Sequence, residues 1–227
     1  MNRTMTSTTL ERPVQIDAGA VMLEGDLAVP PAATGIVVFA HGSGSSRHSP
    51  RNRQVARVLR EGGLATLLFD LLTPAEERAE QWTRHLRFDV RLLADRLLGA
   101  TDWLLRQPET RDLRVGYFGA STGAAAALIA AATRPEVVEA IVSRGGRPDL
   151  AGAALASVRA PTLLIVGGAD TPVIELNKEA LAQLQGVKKL VIIPEATHLF
   201  EEAGALDEVA RQARLWFERY LAPREKP

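Results

Sequence analysis

The sequence contains no cysteine, which excludes disulfides, thiolate metal ligands and a cysteine nucleophile. Its formal net charge at pH 7 is zero, so the overall charge does not indicate binding to nucleic acid or to an anionic membrane. No apolar stretch approaches the roughly 20 residues of a membrane span, and the first residues lack the apolar core of a signal peptide. We therefore expect a cytoplasmic protein that binds neither nucleic acid nor membrane.

The composition is typical of one globular domain, with 46% apolar and 24% charged residues in a chain of 227. That length is enough for a single domain with a sizeable core. We predict a flexible N-terminal segment over residues 1–12, one domain over 13–222 and a short tail over 223–227. Nothing in the sequence distinguishes a monomer from a dimer.

Short apolar runs recur along the chain, as expected for strands buried on both faces of a parallel sheet. They lie at residues 35–42, 64–70, 113–119, 138–144, 161–168 and 188–196. Residues 13–30 instead alternate apolar and polar side chains, which indicates an antiparallel hairpin. Helical patterns separate the later runs at residues 50–63, 85–107, 124–134, 172–185 and 206–221. The alternation predicts a doubly wound α/β fold with the hairpin at one sheet edge and no room for a large lid.

Gly119-Ala120-Ser121-Thr122-Gly123 matches the pattern G-x-S-x-G, with a predicted strand before it and a predicted helix after it. This context is typical of a nucleophile elbow, a strained turn that exposes a serine hydroxyl at the carboxyl edge of a sheet. Glycine is required two positions before and two positions after the serine, because larger side chains at these positions would collide. The alternative is a serine that only caps the helix. We predict that Ser121 is a nucleophile.

A serine hydroxyl needs a base, and the base needs an acceptor that orients it. His198 follows the last predicted strand, which places it at the same sheet edge as Ser121. Asp170 follows the strand before that. Helix capping is the alternative role of Asp170, although Thr171 is better placed in the sequence for that cap. The order Ser121, Asp170, His198 is that of the α/β-hydrolases, and Asp149 and then Glu195 are the rival acids.

The tetrahedral intermediate needs two hydrogen-bond donors. The backbone N–H of Thr122 follows the nucleophile directly, and the glycine-rich loop FAHGSGSSRHSPRN offers the N–H of Ser43. Arg47 and Arg51 lie in or near this loop, and Arg144 ends a neighbouring strand. These arginines are either solvated or attract a substrate carboxylate. Residues 70–85, expected to form a loop, offer Trp82 as a further pocket residue.

These motifs, taken in order, resemble the α/β-hydrolases and, within them, the dienelactone-hydrolase-related branch. The resemblance covers about residues 14–221. It implies an eight-stranded, mostly parallel sheet and hydrolysis without a metal or an organic cofactor. Typical dienelactone hydrolases have cysteine as nucleophile, whereas this chain has Ser121, which favours ordinary carboxylic esters over a lactone.

The sequence therefore predicts a serine esterase that forms an acyl-enzyme on Ser121 and acts on a small ester. Because the histidine base must be neutral, we expect activity to fall below about pH 6–7. The alternatives are a lactone hydrolase or an acyltransferase with the same triad, and a hydrolase fold kept only for binding.

Overall fold

An eight-stranded mixed sheet forms the centre of the molecule, in a computed structural model that describes residues 9–223. The strands are β1 (Leu10–Asp17), β2 (Met22–Val29), β3 (Gly35–Ala40), β4 (Ala65–Phe69), β5 (Arg114–Ala120), β6 (Val138–Arg144), β7 (Thr162–Gly167) and β8 (Lys188–Ile193). Their order across the sheet is β1-β2-β4-β3-β5-β6-β7-β8. Strand β2 is antiparallel to both of its neighbours, and the pairs from β4 to β8 are parallel. The predicted α/β fold with a hairpin at one edge is confirmed.

Helices cover both faces of this sheet. The α-helices in the described part of the chain are α1 (Pro50–Glu61), α2 (Pro74–Thr83), α3 (Val90–Leu104), α4 (Thr122–Thr133), α5 (Thr171–Gln183) and α6 (Ala205–Tyr220). Two 3-10 segments lie at Leu86–Phe88 and Pro148–Ser157. Helices α1 and α6 pack together on one face, and α3 and α4 pack together on the other.

The strands are predictable because they are buried on both faces. Every residue of β3, β4 and β7 is buried, so each strand is a continuous apolar run rather than an alternating one. The alanine-rich α4 is also buried along most of its length, because small side chains let it lie close to the sheet. This helix follows β5 directly and so fixes the position of the turn between them.

The structure differs from the sequence predictions at several boundaries. Strand β1 begins at Leu10, so residues 10–12 of the predicted N-terminal segment are part of the sheet. Helix α3 begins only at Val90, because the Asp89 side chain accepts the N–H groups of Arg91 and Leu92 and caps it there. Residues 1–8 of the predicted flexible segment and residues 224–227 of the predicted tail lie outside the described part of the chain.

Residues 70–85, expected to be a loop, contain helix α2. Its first turn has a reciprocal cap in which Thr73 and Glu76 each accept the other's backbone N–H, and Pro74 occupies the first helical position. The sequence T-P-A-E matches the pattern of such a cap, so the start of this helix was predictable from the sequence. None of the helices between residues 9 and 223 combines the length and the hydropathy that a membrane span requires.

Candidate active site

Ser121 lies in the turn between β5 and α4, with a backbone φ of 50° and ψ of −121°. A positive φ is costly for a residue with a side chain and persists only where the surroundings enforce it. The flanking glycines show how they do so. A Cβ on Gly119 would lie 2.5 Å from Cα of Ala124, and one on Gly123 would lie 2.1 Å from the Ala40 carbonyl oxygen. The chain can make this turn only with glycine at both positions.

Backbone hydrogen bonds hold the Ser121 peptide in place. Its N–H donates to the Arg144 carbonyl at 3.3 Å, which ties the turn to the end of β6. Its carbonyl oxygen accepts from the N–H groups of Ala124 and Arg147, each at 3.1 Å. The serine side chain makes no capping bond to helix α4. The hydroxyl is therefore not engaged as an N-cap, which was the alternative role for this residue.

His198 and Asp170 form a hydrogen bond across two loops at the carboxyl edge of the sheet. The distance from His198 Nδ1 to Asp170 Oδ2 is 2.7 Å. A carboxylate can only accept, so Nδ1 carries the hydrogen and Nε2 of a neutral ring is left as the acceptor. The Asp170 side chain is 14% exposed and that of His198 is 40% exposed, so the acid is largely buried while the imidazole still reaches solvent.

The rival acids are placed elsewhere. Both oxygens of Asp149 accept from Arg147, at 2.9 and 2.8 Å, and Glu195 is exposed. Asp170, not Thr171, occupies the N-cap position of α5, which corrects the expectation that Thr171 caps that helix. The Asp170 carboxylate nevertheless makes no capping bond. It remains bonded to His198.

A cavity of about 240 Å³ opens at this edge of the sheet. Ser121 and His198 both line it, together with Ser43, Arg51 and Arg144. Loop 42–43 lies close against Ser121, since a Cβ on Gly42 would be 3.0 Å from Cβ of Ser121. The structure thus brings five of the predicted site residues to one cavity. Asp170 does not line the cavity itself, but it is hydrogen-bonded to His198, which does.

Thr122 and Ser43, the predicted oxyanion donors, contact each other. The Ser43 N–H donates to the Thr122 hydroxyl oxygen at 3.0 Å. Thr122 is the first residue of α4, where backbone N–H groups have no acceptor within the helix. The Thr122 N–H is therefore available, whereas that of Ser43 has a hydroxyl partner which an oxyanion would have to replace.

His41 is a structural group in the same loop region. Its Nε2 accepts the backbone N–H of Leu71 at 3.1 Å, and its Nδ1 lies 2.9 Å from the Gly42 carbonyl. Burial lowers the pKa of this imidazole, which keeps it neutral. His41 therefore joins the loop after β3 to the loop after β4.

Arg47 and Trp82 are not brought to the cavity. Arg47 forms ion pairs with Asp70 and with Glu24, the latter at 2.7 Å, and its backbone N–H donates to Asp70 at 2.7 Å. These carboxylates hold it away from Ser121. Trp82 lies on α2 and is 88% exposed, because that segment is a helix and not a loop over the pocket.

Sequence reasoning missed several neighbours of the cavity. Ser45, Ser49 and Leu199 also line it. The serines belong to the glycine- and serine-rich loop already identified, so their positions could have been included. Within residues 9–223, no group of three or more His, Asp or Glu side chains is placed to share a metal ion.

The comparisons with known proteins agree with this fold. Residues 23–222 match the dienelactone hydrolase family. A dienelactone hydrolase from Anabaena variabilis is 65% identical, with a TM-score of 0.92 over 93% of this chain and 98% of that chain. Est1E from Butyrivibrio proteoclasticus has the same fold at 17% identity, with a TM-score of 0.76 over 93% of this chain and 99% of that chain.

A curated relative from Mycobacterium tuberculosis carries the name putative phosphoribosyl transferase. It is 61% identical over 208 residues, which are 92% of this chain and 46% of the relative. The chain thus spans about half the length of that longer protein. The family match covers residues 23–222, which is most of the chain, and the fold agrees with it, so this chain belongs to the dienelactone hydrolase family.

Proposed function

We propose that this protein is a serine hydrolase of small carboxylic esters. The observation that carries the proposal is the hydrogen bond of 2.7 Å between His198 Nδ1 and Asp170 Oδ2, beside a cavity that Ser121 also lines. A histidine fixed in this tautomer presents Nε2 as a proton acceptor, which is what a serine nucleophile requires.

The reaction follows from these positions. His198 accepts the Ser121 proton as the hydroxyl oxygen attacks the ester carbonyl, and Asp170 stabilises the imidazolium that forms. The Thr122 N–H and the Ser43 N–H bind the oxyanion, the latter after exchanging its bond to the Thr122 hydroxyl. His198 then returns the proton to the leaving alcohol. Water enters past the partly exposed imidazole and releases the acid from Ser121 by the same steps.

The size of the cavity favours a small substrate. About 240 Å³ is below the 300–1,000 Å³ of typical pockets for drug-sized ligands. A lactone is an internal ester and would react by the same steps, so lactone hydrolysis is the first alternative. Transfer of the acyl group to another alcohol is the second, and the product ratio with a competing alcohol separates transfer from hydrolysis.

The transferase name of the mycobacterial relative does not change this proposal. That name belongs to a protein about twice as long as the matched region, and the matched residues of this chain contain the serine turn and the His198–Asp170 pair. We therefore propose hydrolysis for this chain. A cytoplasmic location stays a prediction.

Labelling with a fluorophosphonate tests the proposal, because the probe reacts only with an activated nucleophile. We expect one adduct by intact mass on the unaltered protein, none on Ser121→Ala and strongly slowed labelling on His198→Ala. The matched control is Ser157→Ala, an exposed serine outside the cavity, which should label like the unaltered protein. The absence of an adduct on folded protein would leave only the binding role for this fold.

A further inference from the structure

Asn177 is a fully buried polar residue in the middle of helix α5. Its amide nitrogen Nδ2 donates to two backbone carbonyl oxygens, that of Val173 one turn earlier in the helix at 2.8 Å and that of Gly146 in the loop after β6 at 3.0 Å. Its Oδ1 is buried and has no hydrogen-bond partner in the described part of the chain. A buried polar atom without a partner costs stability, and a leucine of similar size would avoid that cost. Packing alone therefore does not explain an amide at this position.

The loop that Asn177 reaches contains two consecutive glycines. Gly145 has a backbone φ of 50°, in the left-handed region that favours glycine. A Cβ on Gly146 would lie 2.0 Å from Ser143 Oγ and 2.6 Å from Cβ of Ala124, so no side chain fits there. Glycines have no side chain that could anchor the backbone, and they leave it conformationally free. The bond from Asn177 to the Gly146 carbonyl supplies such an anchor from another element.

The same loop supports the turn that contains Ser121. The N–H of Arg147, the residue directly after Gly146, donates to the Ser121 carbonyl oxygen at 3.1 Å. Ser121 has a positive φ, which persists only where the surroundings enforce it. The peptide between Gly146 and Arg147 is part of those surroundings. One of its ends is bonded to Asn177 and the other to the serine turn.

Helix α5 also carries Asp170. This residue occupies the N-cap position of the helix, and its carbonyl oxygen accepts the Ile174 N–H at 3.0 Å. Asn177 follows it by about two helical turns. The Asp170 carboxylate in turn accepts the hydrogen bond of 2.7 Å from His198. One side chain therefore joins the helix that begins at Asp170 to the loop that supports Ser121.

We propose that Asn177 is a positioning residue, which fixes the serine turn relative to the His198–Asp170 pair. This role deepens the proposed function and rests on it. Proton transfer from Ser121 to His198 requires the two side chains at hydrogen-bond distance, and a misplacement of about 1 Å can slow a reaction by about 100-fold even when its cause lies far from the chemistry. Asn177 does not line the cavity, so it affects the reaction without touching the substrate.

The first test is Asn177→Leu, which keeps the size of the side chain and removes the donor to Gly146. We expect kcat on a neutral ester to fall by roughly 10- to 100-fold while KM changes by less than about threefold, because the change misplaces reacting groups and removes no substrate contact. The rate of fluorophosphonate labelling at Ser121 should fall with kcat, since labelling needs the same alignment.

The matched control is Thr110→Val. Thr110 is also buried, and its hydroxyl donates to the Leu104 carbonyl at 2.7 Å, just before the amino end of β5 and so at the opposite edge of the sheet. This change removes a buried side-chain hydrogen bond and should leave kcat unchanged.

Two results would overturn the proposal. One is an unchanged kcat in folded Asn177→Leu. The other is an equal loss of kcat in Asn177→Leu and Thr110→Val, which would show only general destabilisation. If Asn177→Leu does not fold, Asn177→Ala and Thr110→Ala give the same comparison.

The second test separates the positioning role from the chemistry. Hydrogen–deuterium exchange, measured on peptides that cover residues 119–123 and 145–147, should be faster in both segments of Asn177→Leu and unchanged in Thr110→Val. Faster exchange without any fluorophosphonate adduct on the unaltered protein would refute the proposed hydrolase and keep the link between Asn177 and the serine turn. An adduct that forms equally fast on Asn177→Leu, with unchanged exchange, would keep the hydrolase and refute the positioning role.

Discussion

Two arginine-bearing regions near the carboxyl edge of the sheet contrast with each other. Arg47 is surrounded by carboxylates, with Asp70 and Glu24 bonded to it and an oxygen of Asp26 at 4.0 Å. Arg144 lines the cavity beside Ser121 with no carboxylate partner among residues 9–223. Sequence analysis gave the two the same candidate role. The contrast teaches that the charge of an arginine is neutralised or not by the partners that the fold supplies, and that nearness in sequence to a catalytic motif does not indicate which.

The same contrast extends to other charged groups. Glu80 is fully buried and accepts hydrogen bonds from the backbone N–H groups of His85, Leu86 and Arg87 and from the Arg87 side chain. Its hydrogen bonds are satisfied within the protein, and it does not line the cavity that contains Ser121. We therefore expect changes at the cavity to affect activity, and changes at Arg47 and Glu80 to affect stability.

The largest effect is expected at the carboxylate that contacts His198. Asp170→Asn should lower kcat/KM on a neutral ester by about 10³- to 10⁴-fold, because an amide favours the wrong imidazole tautomer. Asp149→Asn is the control, since Asp149 is bonded to Arg147, and it should retain activity. Steady-state kinetics on both variants checks this. If Asp149→Asn lost more of its kcat/KM than Asp170→Asn, Asp149 would be the acid and the His198–Asp170 bond would have no catalytic role.

A smaller effect, on stability alone, is expected at Arg47. Arg47→Met removes the guanidinium that pairs with Asp70 and Glu24 and should lower the free energy of unfolding by about 1–3 kcal/mol. Arg57→Met breaks only an exposed pair with Glu61 and should cost at most about 0.5 kcal/mol. Urea unfolding measures both. If Arg47→Met and Arg57→Met lose equal free energies of unfolding, the carboxylates around Arg47 are solvated and are not stabilised by its guanidinium.

Glu80 should contribute stability that depends on pH. Burial alone would raise its pKa, but hydrogen bonds from Leu86, Arg87 and Thr83 outweigh burial and hold the pKa well below its usual range. A carboxyl with a lowered pKa stabilises the fold above its unfolded-state pKa, and that contribution is lost as pH falls below about 5. The Tm difference between the unaltered protein and Glu80→Gln should therefore shrink from pH 7 to pH 3.

Exposed Glu179 provides the control for this pH dependence. Glu179→Gln should change Tm little at either pH, because its side chain lies on the outer face of α5. If the Tm difference between the unaltered protein and Glu80→Gln stays constant with pH, that result would contradict a lowered pKa of Glu80, whatever the size of the difference.

The smallest effect is expected at Arg144. Arg144→Met removes a buried charge and leaves no carboxylate unpaired, so the free energy of unfolding should change by no more than about 1 kcal/mol in either direction. Arg96→Met is the matched comparison, because it leaves Glu76 unpaired at similar burial, and it should cost about 1–3 kcal/mol. If the two losses are equal, Arg144 is a structural residue and the contrast with Arg47 fails.

Much of the fold was predictable because its signals are local. Strand β6 was predicted at its observed bounds, Val138–Arg144, because a buried parallel strand is a short apolar run. The turn at Ser121 was also predictable from a local signal, because the glycines that permit it lie two residues before and two residues after the serine. Helix α2 was missed although its start signal is local too, because its polar sequence suggested a loop.

The partners of charged side chains were not predictable in this way. Arg47 is paired by Glu24 on β2 and by Asp70 after β4, which the order of strands brings together. The sequence ranked Asp170 above Asp149, but both follow strands at one edge, and only the structure shows that Asp170 is the one bonded to His198. Such choices depend on side-chain directions within a few ångströms, and residue spacing along the chain does not set these.

The sequence by itself determined the alternation of strands and helices and the strained serine turn, because each rests on residues close together in the chain. It also determined the family, through the order of several short local motifs. Only the tertiary structure decided that Asp170 contacts His198, that Arg47 is neutralised and that Arg144 is buried without a carboxylate beside Ser121. The physical reason is that ion pairs and hydrogen bonds act over a few ångströms, so their partners are set by how distant segments pack against one another.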